Sequence, residues 1–259
     1  MKISALAGIA MLLLVTLSEA EAQGHGRGDR LPPPIPLSPE PVNKGAKAPD
    51  GIGEAVRDRT RTVGEMSAET MTYTPWEDAS VIDPLPVGAT IPDGSNVLTM
   101  DGEPFSLNDA VASQPTVLIF YRGGWCPYCN AHLRQLRESV PALQEMGYQL
   151  LAISPDKPEQ LRDMDKDANL GYQLLSDENV AVGEAFGLRF KLTQRYIDHV
   201  VSVQGPEKDL GKQNMGYMLT PGAFVLDING VIKFAYVNNN YTVRVGQQAL
   251  LDAARDALK

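Results

Sequence analysis

Thr116-Val117-Leu118-Ile119-Phe120-Tyr121-Arg122-Gly123-Gly124-Trp125-Cys126-Pro127-Tyr128-Cys129 decides how this chain folds. The first six residues are β-branched, aliphatic or aromatic and stop at Gly123-Gly124, the pattern of a short buried strand. From Pro127 the period becomes helical, with Leu133, Leu136, Val140 and Leu143 on one face and Pro141 breaking or restarting the helix after Ser139. Both cysteines of the 259-residue chain therefore sit at one strand-to-helix turn. Unpaired N–H groups and the positive end of the dipole at a helix N-terminus favour an anion there. In such a C-x-x-C setting the attacking thiol has a pKa of about 3.5 to 7.5 rather than roughly 8.5, and its partner lies close enough to form a disulfide. A purely structural disulfide is a poor competitor, because so short a loop gains little from cross-linking. Zinc is another, since C-x-x-C is half of many zinc sites, but a closed site takes four ligands. His132 and His199 lack paired ligand spacing, and His132 is read as a helix-surface residue.

Outward from this turn the chain alternates. Asn96–Met100 and Pro104–Leu107 flank Asp101-Gly102 and predict a hairpin. Tyr148–Ile153 reads as the strand after the dithiol helix, making a βαβ unit with parallel strands. A polar helix over Asp156–Leu170 leads to Tyr172–Leu175, and Val180–Phe186 forms a short helix closed by Gly187. Residues 188–216 carry Gly205-Pro206 and Gly211 and no sustained period, so they are read as an insertion. Ala223–Asp227 and Val231–Val237 flank Asn229-Gly230, a second hairpin signal, and Gln247–Leu258 has amphipathic helical spacing.

The first 80 residues are different. Lys2, an apolar run from Ile3 to Leu17, and Ala20 and Ala22 predict a cleaved signal peptide at 1–22, hence a secreted or periplasmic protein with no stable membrane span after cleavage. Residues 23–80, with Pro32-Pro33-Pro34, Pro36, Pro39 and Pro41, lack the apolar content to offset ordering entropy and predict a disordered spacer. The domain proper is placed at 81–259. A formal charge of −9 without a basic cluster excludes nucleic acid as a partner. No Gly-rich phosphate loop or other cofactor motif is present; Asn240-Tyr241-Thr242 matches a glycosylation sequon.

The order of elements, with Phe120–Cys129, Leu151-Ala152-Ile153-Ser154-Pro155-Asp156 and Thr220-Pro221-Gly222-Ala223-Phe224-Val225-Leu226-Asp227, resembles the peroxiredoxin-like (alkyl hydroperoxide reductase/thiol-specific antioxidant) branch of the thioredoxin superfamily. The resemblance covers roughly residues 84–258, leaving the signal, the spacer and the 188–216 insertion outside it. It implies an α/β thioredoxin-like fold, a central mixed sheet flanked by helices. Two family patterns overlay the same residues. The thioredoxin pattern Trp-Cys-x-x-Cys, with Trp125 ahead of a glutaredoxin-like Cys126-Pro127-Tyr128-Cys129, makes Cys126 the exposed attacker and Cys129 the resolver. The peroxiredoxin pattern Pro-x-x-x-Thr-x-x-Cys makes Cys129 peroxidatic, but here Arg122 replaces the Pro, Cys126 the Thr, and Pro221 a strand arginine. Losing such donors costs orders of magnitude in rate. Pro221 fits the thioredoxin-like cis-proline, which would present the backbone of Thr220 to an extended substrate; an ordinary trans proline opening a strand is the alternative. Arg122 is either a thiolate-stabilising charge or a solvated surface arginine. These readings lead to a thiol-disulfide oxidoreductase that exchanges disulfides of protein or small-molecule partners, fed by a thiol donor. The alternatives are a thiol-dependent peroxidase acting through Cys129 with Cys126 resolving, and a non-catalytic binding or chaperone-like module.

Overall fold

The computed structural model describes residues 81–206 and 213–259 together with the two-residue strand β1 (Leu37–Ser38); the expected signal peptide and the remainder of the spacer lie outside the described residues. The chain enters the core at once: Ile82, Val87 and Ile91 are buried, and Asp83 N–H donates to the Gly187 carbonyl at 3.0 Å. β2 (Asn96–Leu98) and β3 (Pro104–Ser106) pair antiparallel around Asp101-Gly102. Ser106 then caps α1 (Leu107–Ser113), its side chain accepting from Asp109 N–H at 3.2 Å.

β4 (Thr116–Phe120), α2 (Pro127–Arg137), α3 (Val140–Glu145) and β5 (Gln149–Ser154) form the expected βαβ unit, with β4 and β5 parallel. Pro141 begins the second helix segment after Ser139. α4 (Pro158–Ala168) crosses to β6 (Gln173–Ser176), parallel to β5. α5 (Ala181–Ala185) ends at Gly187, whose φ of 71° belongs to glycine; a Cβ there would fall 1.9 Å from the Asp83 carbonyl oxygen.

Residues 188–216, read as an insertion without a sustained period, carry regular elements over 189–204 and 213–216. They contain β7 (Arg189–Lys191) and α6 (Gln194–Gln204), and β7 pairs antiparallel with β8 (Tyr217–Leu219). Leu188, Phe190, Leu192, Tyr196, Ile197 and Val200 are buried in the same cluster as Phe120 and Phe224. The helix buries Tyr196, Ile197 and Val200 and leaves Arg195 and Asp198 exposed, and Gly205-Pro206 follows it.

β9 (Gly222–Leu226) and β10 (Ile232–Val237) form the second expected hairpin, whose turn is held by the Asp227 carboxylate accepting from Asn229 and Val231 N–H at 2.9 and 3.0 Å. β11 (Arg244–Val245) pairs parallel with β1, and α7 (Gln247–Asp256) closes the domain. The seven-stranded sheet has the order β10-β9-β4-β5-β6-β2-β3 and mixes parallel with antiparallel neighbours. Alternation along β4 separates the core into two layers. Leu118 and Phe120 face α1, α5 and α6, whereas Val117, Ile119 and Tyr121 face α2, α3, α4 and α7. The fold is the α/β thioredoxin-like one the resemblance implies. Burying each of Phe120, Phe186 and Phe224, which pack at ring distances of 4.8–5.9 Å, contributes about 1.5–3 kcal/mol.

Candidate active site

The site is built where β4 runs out. Tyr121 N–H still pairs with the Ile153 carbonyl at 3.0 Å, and then the chain turns through Gly123. At φ 139°, a Cβ on Gly123 would meet Trp125 Nε1 at 2.5 Å and Asp156 Oδ1 at 2.8 Å, so only glycine passes there. The turn is pinned on both sides. Gly124 N–H donates to Asp156 Oδ2 at 2.7 Å, and Asn130 Nδ2 donates to the Gly124 carbonyl at 2.7 Å. Cys126 becomes the N-cap of α2 and Pro127 its first residue, which suits a position whose N–H would have no helical partner. Cys129 follows one turn inside.

Both sulfurs are free thiols and both are buried, at 1% exposure, which corrects the expectation of an exposed Cys126. Their environments diverge. Burial pushes the Cys126 thiol well up, its S–H donates to Cys129 and so favours the protonated form, and the arginines only partly oppose this. Burial also acts against the Cys129 thiolate. There it is outweighed by the Cys126 S–H, by the guanidinium charges of Arg244 and Arg122, and by the Arg122 backbone N–H, which together bring the Cys129 thiol down to about 5. Arg244 Nη2 lies 3.4 Å from Cys129 Sγ. Cys129 is the resident thiolate, and Cys126 is the proton-bearing neighbour.

Arg122 is only 1% exposed, so the solvated alternative is ruled out. Its Nη2 donates to Tyr196 Oη at 2.6 Å, and its guanidinium lies 4.9, 5.1 and 4.2 Å from the ring centroids of Trp125, Tyr196 and Tyr241. Three aromatic faces thus hold a charge that water would otherwise solvate. Tyr241 in turn stacks edge-on with Tyr128 at 6.0 Å, and its carbonyl accepts from Arg244 Nη1. Arg244 also donates to the Val243 carbonyl at 3.2 Å.

The other expectations divide. Trp125, Tyr128 and Arg122 surround the dithiol. Thr220 and Pro221 do not act as expected. No cis peptide bond occurs among the described residues, so Pro221 is trans. The physical reason lies in its neighbours. Thr220 N–H donates to the Leu188 carbonyl at 2.9 Å, and Gly222 pairs with Phe120 and Val237, so an extended chain joins two ladders through the one residue with no N–H to satisfy. The Thr220 edge anticipated for a substrate is taken by the chain itself. Pro221 instead lines a small chamber with His132, Tyr236 and Arg244. His132 is a further correction: it is buried, not on the helix surface. Burial and Arg244 hold it neutral, down to about 3, although its ring N–H faces the Val245 carbonyl.

Arg244, Tyr196 and Tyr241 escaped the sequence reading. Arg244 had a faint signal, a charged residue between Val243 and Val245 just before a helix. The arginine expected at position 221 is missing, and a guanidinium from β11 stands on the same sulfur.

A match to the AhpC/TSA family spans residues 87–235. The chain belongs to that family. The match runs through the 188–216 segment. The chain is 35% identical over 107 residues to Peroxiredoxin Bcp of Escherichia coli K12, covering 41% of this chain and 67% of that protein. It is 24% identical over 149 residues to the chloroplastic Peroxiredoxin Q of Gentiana triflora, covering 58% of each. Among solved structures, Peroxiredoxin Q of Xanthomonas campestris superposes with a TM-score of 0.52 at 20% identity, covering 67% of this chain and 99% of that one. This AhpC/TSA member is a peroxiredoxin-like, thiol-dependent oxidoreductase.

Proposed function

We propose that the chain is a thiol-dependent peroxidase in which Cys129 is peroxidatic and Cys126 resolves. The observation that carries this reading is the placement of Arg244 Nη2 and the Arg122 N–H on Cys129 rather than on Cys126. It reverses the thioredoxin-type assignment, in which the first cysteine attacks. The Cys129 thiolate attacks one oxygen of a peroxide ROOH, the O–O bond breaks, and Cys129 carries away OH as a sulfenic acid while RO⁻ leaves. Charge develops on that leaving oxygen beside Arg122 and Arg244, which take the place of the donors that the family pattern has at 126 and 221. Cys126, still holding its proton, condenses with the sulfenic acid to give the Cys126–Cys129 disulfide and water. Two thiols of a donor then reduce the disulfide and leave as a disulfide of their own. The relatives' names, peroxiredoxins throughout, agree with this chemistry.

The test is peroxide consumption by the full chain with a dithiol donor. With the donor left out, Cys126→Ser should consume one equivalent of peroxide and give a dimedone adduct on Cys129; Cys129→Ser should consume none. A Cys129→Ser protein that still turns over peroxide while Cys126→Ser does not would return the assignment to the thioredoxin pattern. We further propose that the protein is exported, a reading supported by Lys2 and the apolar run after it and tested by the N-terminal residue of the mature chain.

A further inference from the structure

The charges in the site do not balance after oxidation. Arg122 and Arg244 are 1% and 3% exposed, and among the described residues no carboxylate forms an ion pair with either. Arg122 is held by Tyr196 and aromatic faces, and its Nε is buried without a partner; Arg244 is held by two backbone carbonyls and the sulfur. All these partners are neutral except the Cys129 thiolate. In the reduced site one anion faces two buried cations. Oxidation of Cys126–SH and Cys129–S⁻ to the disulfide releases two electrons and one proton and removes that anion, leaving two buried guanidinium groups facing none. A buried charge without a counter-charge is strongly disfavoured.

We propose that the disulfide form of this site binds one small monovalent anion, of halide size, on the Arg122 and Arg244 guanidinium groups, in exchange for the thiolate charge lost on oxidation. Arg122 is this chain's own addition, since the family pattern has proline there, and it is what takes the site to two positive charges. The buried Nε of Arg122 supplies one donor. Both guanidinium groups are almost fully buried, so the ligand that reaches them is a single small particle. The inference rests on the proposed Cys126–Cys129 disulfide but not on its being formed by peroxide.

By linkage, an anion that binds only the oxidised form draws the thiol–disulfide equilibrium toward it. The full chain is equilibrated in glutathione/glutathione disulfide mixtures at constant ionic strength, with chloride exchanged stepwise for gluconate, an anion too large for a buried site, and the oxidised fraction is read by thiol alkylation and mass. Above the chloride dissociation constant, each tenfold rise in chloride should raise the oxidised-to-reduced ratio tenfold, about 30 mV for this two-electron couple. Arg122→Lys should keep the dependence, and Arg122→Pro, which restores the family residue, should remove it. A ratio flat across the chloride series in the unaltered chain overturns the proposal, as does an undiminished slope in Arg122→Pro. Because glutathione disulfide makes the bond, a chain that forms it with the chloride slope yet consumes no peroxide would overturn the peroxidase reading alone.

Discussion

The turn after β4 and the return from β10 to α7 meet at one sulfur from opposite directions, and they contribute different things. Residues 121–129 supply both thiols, a backbone N–H and a caged arginine, all fixed by local geometry: a glycine at φ 139°, a proline at the helix start, and a carboxylate clamp from Asp156. Residues 238–245 contain no thiol and only a two-residue strand, yet Arg244 from that return gives Cys129 its nearest side-chain cation. Position is therefore encoded in one part of the chain, and reactivity in both. Burial alone would leave both thiols protonated; the Cys126 S–H and Arg122 of the first region and Arg244 of the second together separate them.

Removing Arg244 tests this division most sharply. Arg244→Met should leave the helix and both thiols in place but slow sulfenate formation by about 10²–10³-fold, as loss of one charged donor does. The thiolate absorbance of Cys129 should then appear well above pH 5 in a titration. An unchanged thiol titration would mean that the β4–α2 turn suffices by itself.

A smaller effect is expected on stability with pH. Cys129 is held down to about 5 in the fold against about 8.5 in the unfolded chain, so its contribution is complete above the unfolded value and is lost as pH falls toward 5. His132, held down to about 3 against about 6.5 unfolded, acts with the same sign below pH 6.5, where the unfolded chain takes up the proton first. Stability should rise from pH 5 to 8, and Cys129→Ser should remove the part of the slope above pH 6.5. Urea midpoints across that range check it. Above about pH 8.5 the raised Cys126 thiol works in the opposite sense.

Tyr196→Phe removes the 2.6 Å bond to Arg122 while keeping the ring. It should cost on the order of 1–3 kcal/mol of stability, since a bond to a charged group is lost, with a fall of several-fold in peroxide rate. The smallest change is expected from Pro221→Ala. In a trans-proline site whose neighbours already complete their ladders, it should alter the rate less than twofold. A large loss there would restore the thioredoxin-type role for that residue.

Much of this was legible before any coordinates, for physical reasons. β4, β5 and the two hairpins announce themselves because a strand buried on both faces is a continuous apolar run and a tight turn needs Asp-Gly or Asn-Gly. The dithiol was legible because C-x-x-C combines rare residues at fixed spacing. The α6 segment was not, since only a short apolar stripe, Tyr196, Ile197 and Val200, marks it, and Tyr196 turns a polar tip toward Arg122. Nor was Arg244, because nothing local distinguishes an arginine aimed at a sulfur from one aimed at water. Pro221 misled for a related reason: a proline between two strands has the same sequence whether its bond is cis or trans.

Arg244 stands 115 residues downstream of the sulfur it serves. During synthesis the Cys126-Pro127-Tyr128-Cys129 turn emerges long before that arginine exists, so a nascent chain carries two thiols without this cation to favour a thiolate. On the peroxidase reading proposed above, full reactivity of Cys129 waits on the docking of the C-terminal part, and a partly made molecule lacks the cation that stands on this sulfur.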